Sequence, residues 1–254
     1  MIIKCENLSY KYDSKNGIND FSSEFKSGNI YGLIGPSGAG KTTLIKLLSG
    51  NTKPHNGIIK IDDKEIDKYT HKEKISLISW LPQTISCNFD YTCREAILFG
   101  RYGYSNFLPS KNDYKICDEI IEEMNITHLS DRYLSNISGG EFQRVMTAQT
   151  IAQNAQCIIL DEPISHLDVK CQSEIMEYIQ KRTKQHGNIV IISIHDLTVA
   201  SYFCDYIILL KKGNKIAEGK TKDVINYENI LNGFDLETNI IDYGDDKFPI
   251  IKKI

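Results

Sequence analysis

A glycine-rich segment constrains the fold of this 254-residue chain more than any other feature. It reads Gly35-Pro-Ser-Gly-Ala-Gly40-Lys41-Thr42, and it lies between an apolar run at Ile30–Ile34 and an apolar helical pattern at residues 42–48. The backbone N–H groups of such a loop, together with a helix N-terminus, can surround phosphate oxygens without side chains in the way. The pattern GxxxxGK[ST] between a strand and a helix therefore predicts a site for a nucleoside triphosphate.

The residues of this loop have separate expected roles. Its glycines allow the backbone to approach the phosphates closely, while Lys41 is expected to bridge the β- and γ-phosphates and the Thr42 hydroxyl to ligate Mg²⁺. The predicted ATP-binding set from this loop is Gly35, Pro36, Ser37, Gly38, Ala39, Gly40, Lys41, Thr42 and Thr43. A glycine-rich turn that binds nothing is the alternative, and the strand and helix on either side disfavour it.

A second element places two acids at the end of an apolar run, in the sequence Cys157-Ile-Ile-Leu-Asp161-Glu162. Because neighbouring side chains on a strand point to opposite sides, the two carboxylates can do different work. Asp161 is predicted to hold Mg²⁺, directly or through water, and Glu162 to act as the base that polarises the attacking water. Such a strand end would usually be a solvated turn, but the phosphate loop favours a catalytic function.

Composition places the chain among globular proteins, with 41% hydrophobic and 25% charged residues. A formal net charge of -3 indicates no polybasic surface, so no nucleic acid partner is expected. The seven cysteines form no CxxC pair, which favours a reducing cytosol over disulfides and gives little support to a metal site. No apolar run approaches the ~18 residues of a membrane span, and no signal peptide is expected.

Short apolar runs alternate with helical patterns along most of the chain. The predicted strands are Ile30–Ile34 and residues 58–61, 75–81, 157–160, 189–194 and 206–210. This alternation predicts an α/β fold with a mostly parallel sheet covered on both faces. The stretch from about residue 86 to 136 breaks the rhythm and is mainly helical, which predicts an inserted helical subdomain. In the tail, Ile230, Leu231, Phe234 and Ile240 are expected to pack back on the core.

Four more stretches occur in a fixed order relative to the loop and the acidic pair. They are Gln83 after a predicted strand, Ile137-Ser138-Gly139-Gly140-Glu141 at a helix start, Ser165-His166-Leu167-Asp168 after the acids, and His195 after an apolar run. In that order they resemble the Q-loop, signature, D-loop and switch histidine of ATP-binding cassette ATPases. The order and spacing agree over nearly the whole chain.

The resemblance implies a P-loop NTPase core with antiparallel N-terminal strands and an inserted helical subdomain. It implies one nucleotide-binding domain over residues 1–254. The expected division gives a core at about 1–85 and 146–225, a helical subdomain at about 86–145 and a short tail at 226–254.

In the family, two such domains enclose two ATP molecules head to tail. The resemblance therefore implies that Ser138, Gly139 and Gly140 meet the γ-phosphate held by a second subunit, and that Asp168 couples the two sites. Glu141 belongs to the same signature, where Gln is more usual, and it adds a charge near that phosphate.

By the same resemblance, His195 contacts the γ-phosphate and Gln83 reports Mg²⁺ occupancy to the helical subdomain. Tyr12 matches the aromatic residue that stacks on adenine, with Tyr10 as the competing candidate. The expected catalytic set is Glu162, His195, Gln83 and Lys41, and the expected Mg²⁺ set is Thr42, Gln83 and Asp161.

Three segments, residues 92–102, 166–172 and 195–205, look like those of the ATPases that serve iron-siderophore, haem and cobalamin importers. The implied partners are membrane permease subunits, a second ATPase subunit that is a copy of this chain, and indirectly an extracellular substrate-binding protein. The implied location is the cytoplasmic face of the cell membrane. The alternatives are the ATPase of an exporter and a soluble ATP-driven switch without transport.

Overall fold

The computed structural model describes residues 1–12, 17–85, 90–105, 108–165, 167–244 and 246–252. The strands are β1 (Ile2–Lys11), β2 (Gly17–Lys26), β3 (Ile30–Ile34), β4 (Asn56–Ile61), β5 (Lys64–Glu65), β6 (Ile78–Leu81), β7 (Cys157–Asp161), β8 (Ile189–Ser193), β9 (Tyr206–Lys211), β10 (Asn214–Lys220), β11 (Thr238–Tyr243) and β12 (Asp246–Ile251). The α-helices are α1 (Lys41–Leu48), α2 (His71–Leu77), α3 (Cys93–Phe99), α4 (Tyr102–Ser105), α5 (Lys111–Glu123), α6 (Gly139–Ala152), α7 (Val169–His186), α8 (Leu197–Phe203), α9 (Thr221–Val224) and α10 (Tyr227–Phe234).

The central sheet contains six strands in the order β10-β9-β3-β8-β7-β6. Its strand pairs are parallel except for β9 and β10, which pair antiparallel. Every residue of β3, β7 and β8 is buried, as expected for strands covered on both faces. The predicted mostly parallel α/β fold is confirmed. Successive side chains enter opposite cores, so Ile159 and Leu160 of β7 belong to different hydrophobic clusters.

A second sheet has the order β2-β1-β4-β5, and its strand pairs are antiparallel. This confirms the antiparallel N-terminal strands. Helix α1 contributes Leu44 and Leu47 to the cluster that contains Phe21 and Phe25 of β2. The helix that follows the glycine-rich loop is therefore anchored by both sheets.

Helices α3 to α6 lie between β6 and β7, which confirms the helical insertion. They share one hydrophobic cluster with the central sheet, including Ile97, Ile120 and Val145. Helix α6 runs through the expected division at residue 145, so a single helix connects the insertion to the core.

The prediction of a strand over residues 75–81 is wrong in its first half, because α2 ends at Leu77 and β6 begins at Ile78. The helix is set by a capping box. Thr70 Oγ1 accepts a hydrogen bond from Glu73 N at 3.2 Å, and Glu73 Oε2 accepts one from Thr70 N at 2.6 Å. This start signal lies upstream of the apolar run, which alone does not distinguish helix from strand.

The tail forms α10 and the two-stranded pair β11–β12. Ile230 is fully buried, and Phe234 and Ile240 pack against the larger hydrophobic cluster. The expectation that the tail packs on the core is confirmed. Among the described residues, no helix combines the length and apolar character that a membrane crossing requires.

Candidate active site

The glycine-rich loop connects the carboxyl end of β3 to the start of α1. A Cβ atom on Gly35, whose φ is 147°, would lie 2.2 Å from the backbone oxygen of Leu210. Gly40 has a φ of 104°, and a Cβ there would lie 2.9 Å from the backbone oxygen of Gly17. These positions require glycine, since other residues would clash and be strained in the left-handed region.

Lys41 begins α1 and folds back over the loop. Its Nζ donates hydrogen bonds to the backbone oxygens of Gly35 at 2.7 Å and Pro36 at 3.2 Å. Burial lowers the pKa of the ammonium below its ordinary value, and the carboxylates of Glu162 and Asp161 act in the opposite direction. The loop therefore holds a partly desolvated cation at the position where a polyphosphate would need neutralising.

A cavity of about 340 Å³ opens over this loop. It is lined by Tyr12, Gly17, Ser37, Gly38, Ala39, Gly40, Lys41, Thr42, Thr43, Gln83, Glu162 and His195. The structure therefore brings together predicted residues from five separate parts of the sequence. Gly35 and Pro36 lie outside the lining and present their carbonyl oxygens to Lys41 instead.

Asp161 ends β7 and is completely buried. Its Oδ1 accepts a hydrogen bond from Ser193 Oγ at 2.7 Å, whereas its Oδ2 has no hydrogen-bond partner among the described residues. Burial raises the pKa of Asp161 above its ordinary value, although the hydroxyl groups of Ser193 and Thr42 oppose the shift. A free carboxylate oxygen near a threonine hydroxyl offers the oxygen ligands that Mg²⁺ prefers.

Glu162 follows β7 directly and adopts a positive φ of 54°. Its backbone N–H donates to Ser193 Oγ at 2.8 Å, and its Oε1 makes a close contact with His195 Nε2. The Glu162 side chain is 12% exposed and that of His195 is 48% exposed. The predicted base and the predicted switch histidine thus face each other at the edge of the cavity.

Tyr12 is exposed and lines the cavity, whereas Tyr10 does not. Tyr10 stacks on His55 with ring centroids 4.6 Å apart and meets Tyr12 edge to face at 4.9 Å. Of the two tyrosines considered for adenine, only Tyr12 lines this cavity. Gln83 is exposed two residues after β6 and lines the cavity as well.

The signature residues lie elsewhere, around a second cavity of about 440 Å³ whose lining includes Ser138, Gly140, Glu141 and Asp168. The two cavities share no lining residue. Gly139, the first residue of α6, has open space where a Cβ would stand. The predicted set is therefore divided between two cavities of one chain.

Local hydrogen bonds fix the starts of α6 and α7 beside the second cavity. Glu141 Oε2 accepts hydrogen bonds from Ser138 N and Ser138 Oγ, both at 2.8 Å, and these lower the pKa of Glu141 below its ordinary value. Asp168 caps α7 by accepting from Cys171 N at 2.9 Å, which lowers the pKa of Asp168. His166, which belonged to the predicted D-loop, lies outside the described residues.

Sequence reasoning missed two residues of this site. Gly17 lines the cavity, and its backbone oxygen crowds Gly40. Ser193 contacts both acids. Gly17 carries no local signal, but Ser193 is the only polar residue in the run Ile189-Val-Ile-Ile-Ser-Ile194, and a buried polar residue in a central strand calls for a partner.

Comparison with known proteins agrees with this geometry. Residues 18–165 match the family model described as ABC transporter. The petrobactin import ATP-binding protein YclP of Bacillus subtilis is 34% identical over 224 residues, which cover 88% of this chain and 89% of YclP. The hemin import ATP-binding protein HmuV of Rhodococcus jostii is 31% identical over 226 residues, which cover 89% of this chain and 77% of HmuV.

A solved structure shows the same fold over almost the whole length. It is an inward-facing structure described as a metal-chelate type ABC transporter, and it superposes with a TM-score of 0.84 at 25% identity, covering 99% of this chain and 97% of the other. The glycine-rich loop before α1, the acid pair at the end of β7 and the Ser138-Gly139-Gly140 segment at the start of α6 occur together in this fold. This chain belongs to the ABC transporter family and is one of its ATP-binding, ATP-hydrolysing subunits.

Proposed function

We propose that this chain powers an importer for an iron-siderophore, haem or cobalamin. The names of its relatives support import, since YclP is named a petrobactin import protein and HmuV a hemin import protein. One structural observation carries the energy-coupling part of the proposal: the glycine-rich loop and the predicted signature line two separate cavities of one chain that share no residue. In the proposed dimer, an ATP molecule bound in the loop cavity of one chain meets the signature of the second chain.

The residues at the end of β7 fit Mg²⁺. Asp161 keeps one buried carboxylate oxygen without a hydrogen-bond partner among the described residues, and Thr42 supplies a hydroxyl beside it. Thr42, Asp161 and Gln83 would hold the ion. Mg²⁺, when bound there, neutralises the charge of the β- and γ-phosphate oxygens.

The other predicted residues of the loop cavity have proposed tasks. Lys41 would exchange its two carbonyl contacts for phosphate oxygens, the loop from Gly35 to Thr43 would donate the backbone N–H groups of its residues other than Pro36, and Tyr12 would stack on adenine. Glu162 would orient and deprotonate the attacking water after its contact with His195 is released. His195 would then turn to the γ-phosphate.

The second subunit would complete the site. Ser138, Gly139 and Gly140 at the start of α6 would meet the γ-phosphate, because a helix N-terminus favours an anion. Glu141 accepts hydrogen bonds from Ser138 and would thereby hold the N-terminus of α6 in its observed conformation. Asp168, which caps α7 at the edge of the same cavity, would couple the two sites. Two identical chains related by a two-fold axis are the simplest pair.

A groove beside the helical insertion would pass the motion to the permease. A cavity of about 270 Å³ lies between α2 and β6 on one side and α3 and α6 on the other, lined by residues such as Trp80, Phe99 and Gln149. ATP binding would close the dimer and hydrolysis would open it, which shifts the permease between two conformations. The chain would then act as one nucleotide-binding domain, with a core at about 1–85 and 146–225, an insertion at 86–145 and a tail at 226–254.

The proposed setting is the cytoplasmic face of a cell membrane, where the chain docks on permease subunits. An extracellular substrate-binding protein would act with the same system without touching this chain, and nucleic acid would have no part. An exporter ATPase and a soluble switch remain as rival functions.

Purification of the tagged chain from gently solubilised native membranes, followed by mass spectrometry, tests the proposal. A permease with many spans that imports iron chelates, haem or cobalamin is expected, and the variant Lys41→Ala should bring down the same permease while failing to support uptake. An exporter-type partner would overturn import, and no membrane partner at all would favour the soluble switch.

A further inference from the structure

Ser193 connects the two acids of the site through a single hydroxyl group. It is the last residue of β8, is completely buried, and lies directly opposite Asp161 in the parallel pairing of β7 and β8. Its Oγ donates to Asp161 Oδ1 at 2.7 Å and accepts from Glu162 N at 2.8 Å. A hydroxyl has one proton to donate, so that proton is committed to Asp161.

The first effect concerns which oxygen of Asp161 is available. Ser193 occupies Oδ1, so the carboxylate cannot rotate without breaking a buried hydrogen bond. The other oxygen, Oδ2, is buried and has no hydrogen-bond partner in the part of the chain that the structure describes. Ser193 thereby leaves one defined oxygen for Mg²⁺ or for a water bound to it.

The second effect concerns the backbone of Glu162. This residue leaves the strand with a φ of 54°, a conformation that residues other than glycine adopt rarely and only when their surroundings impose it. Ser193 accepts the N–H of Glu162 at this point. The same serine that fixes Asp161 thus holds the turn that carries the Glu162 carboxylate to the cavity.

We propose that Ser193 is a positioning residue that orients the metal-binding acid and the base at once, an inference that rests on the proposed function of Asp161 and Glu162. Ser193 does not line the cavity over the glycine-rich loop. It acts through the acids, as outer partners of metal ligands do when they orient those ligands.

The sheet offers a matched control in Ser79 of β6. Ser79 is 1% exposed, and its Oγ has no hydrogen-bond partner among the described residues. It faces Ile158 across the pairing of β6 and β7 and touches neither acid. Removing either hydroxyl deletes the same atoms from the same sheet, but only one of them is bonded to the acids.

The experiment measures Mn²⁺ binding to the purified protein with ADP by electron paramagnetic resonance, for wild type, Ser193→Ala, Ser193→Thr and Ser79→Ala. We expect Ser193→Ala to raise the Mn²⁺ dissociation constant by about tenfold or more, the range for outer partners of metal ligands. ADP affinity measured in EDTA should stay at the wild-type value. Ser193→Thr, which keeps the hydroxyl, should restore Mn²⁺ binding, and Ser79→Ala should match wild type.

A kinetic measurement accompanies this test. Ser193→Ala should need a higher Mg²⁺ concentration for half-maximal ATP hydrolysis and should have a lower kcat, with little change in KM for ATP at saturating Mg²⁺. If Ser193→Ala does not fold, Ser193→Cys, of similar size but with a weaker hydrogen-bonding group, takes its place in both measurements.

Wild-type Mn²⁺ affinity in the serine variant, or an equal loss in Ser79→Ala, would overturn the inference. The proposed function of Asp161 fails separately, if Asp161→Asn binds Mn²⁺ as tightly as wild type does.

Discussion

The Nε2 atom of His195 contacts the Oε1 atom of Glu162 at the edge of the nucleotide cavity. The two side chains come from the ends of adjacent strands, β7 and β8, so the sheet itself sets their separation. In this arrangement the carboxylate proposed as the base is occupied by the residue proposed to sense the γ-phosphate. Release of that contact when the γ-phosphate arrives would free Glu162 at the moment it is needed.

We expect Glu162→Gln to lower the ATP hydrolysis rate by about 100-fold or more, which is the contribution of a positioned base. The amide keeps the shape of the side chain, so ATP should still bind and hold the dimer closed. Phosphate release measures the rate, and size-exclusion chromatography with ATP and with ADP measures the dimer. The control is Glu177→Gln, an exposed residue of α7 that accepts a hydrogen bond from Ser173 and lines neither cavity. A wild-type rate in Glu162→Gln would remove Glu162 from its proposed role.

Lys41→Ala tests the glycine-rich loop. Its ammonium is buried among carbonyl groups, and phosphate is the partner that would best offset this burial. Charge-assisted hydrogen bonds contribute about 1.5–3 kcal/mol, so nucleotide affinity should fall by about tenfold to a hundredfold. Calorimetric titration with ATP measures it. Lys46→Ala, on the same helix but outside the cavity, should bind as wild type does, and unchanged affinity in Lys41→Ala would count against the assignment of the loop.

The helical insertion is held to the core by the buried ion pair of Arg101 and Asp113, whose side chains are 9% and 7% exposed. Arg101 also donates to the backbone oxygen of Ala152 at 2.9 Å, so the pair connects three helical segments. Asp113→Ala removes the carboxylate from this buried ion pair, and we expect it to lower the free energy of unfolding by about 3–5 kcal/mol.

Urea denaturation followed by the fluorescence of Trp80, the single tryptophan, measures this loss. The matched control is Asp118→Ala on the same helix, which breaks the exposed pair with Arg94, whose side chains are 45% and 47% exposed. That change should cost about 1 kcal/mol or less. Equal losses of unfolding free energy in the two variants would show that burial does not increase the contribution of the Arg101–Asp113 pair to stability.

The same pair makes stability depend on pH. Burial would raise the pKa of Asp113, but hydrogen bonds from Ser110 and Arg101 outweigh it and hold the pKa below its ordinary value of 3.8. A depressed folded-state pKa gives stability that is present above 3.8 and is lost as the pH falls through the folded value. We therefore expect the free energy of unfolding to fall with pH below about 3.8 less steeply in Asp113→Asn than in wild type. Parallel acid titrations of both proteins in urea measure the difference.

The parts of the site that could be predicted from sequence are those encoded by contiguous residues. The loop at Gly35–Thr43 and the acid pair Asp161 and Glu162 carry their geometry in local spacing, and the structure brings residues 37–43 and Glu162 to one cavity. The boundary between α2 and β6 could not be predicted from the apolar run alone, because such a run fits a helix as well as a strand. The N-cap at Thr70 is the signal that favours the helix. Ser193 could not be assigned, because its contacts depend on the register of β7 against β8, which is a property of the folded sheet.

The division of the site between two cavities predicts that two inactive variants can restore each other in a head-to-tail dimer. Lys41→Ala destroys the loop half and Ser138→Arg blocks the signature half, so each variant alone forms dimers without an intact site. In a mixed dimer, one site combines both defects, and the other combines the intact loop of one chain with the intact signature of its partner. A 1:1 mixture that pairs at random should recover about a quarter of the wild-type number of sites. Phosphate release from the mixture measures the recovery, and each variant alone at the same total concentration is the control. A mixture no more active than its components would contradict the head-to-tail arrangement.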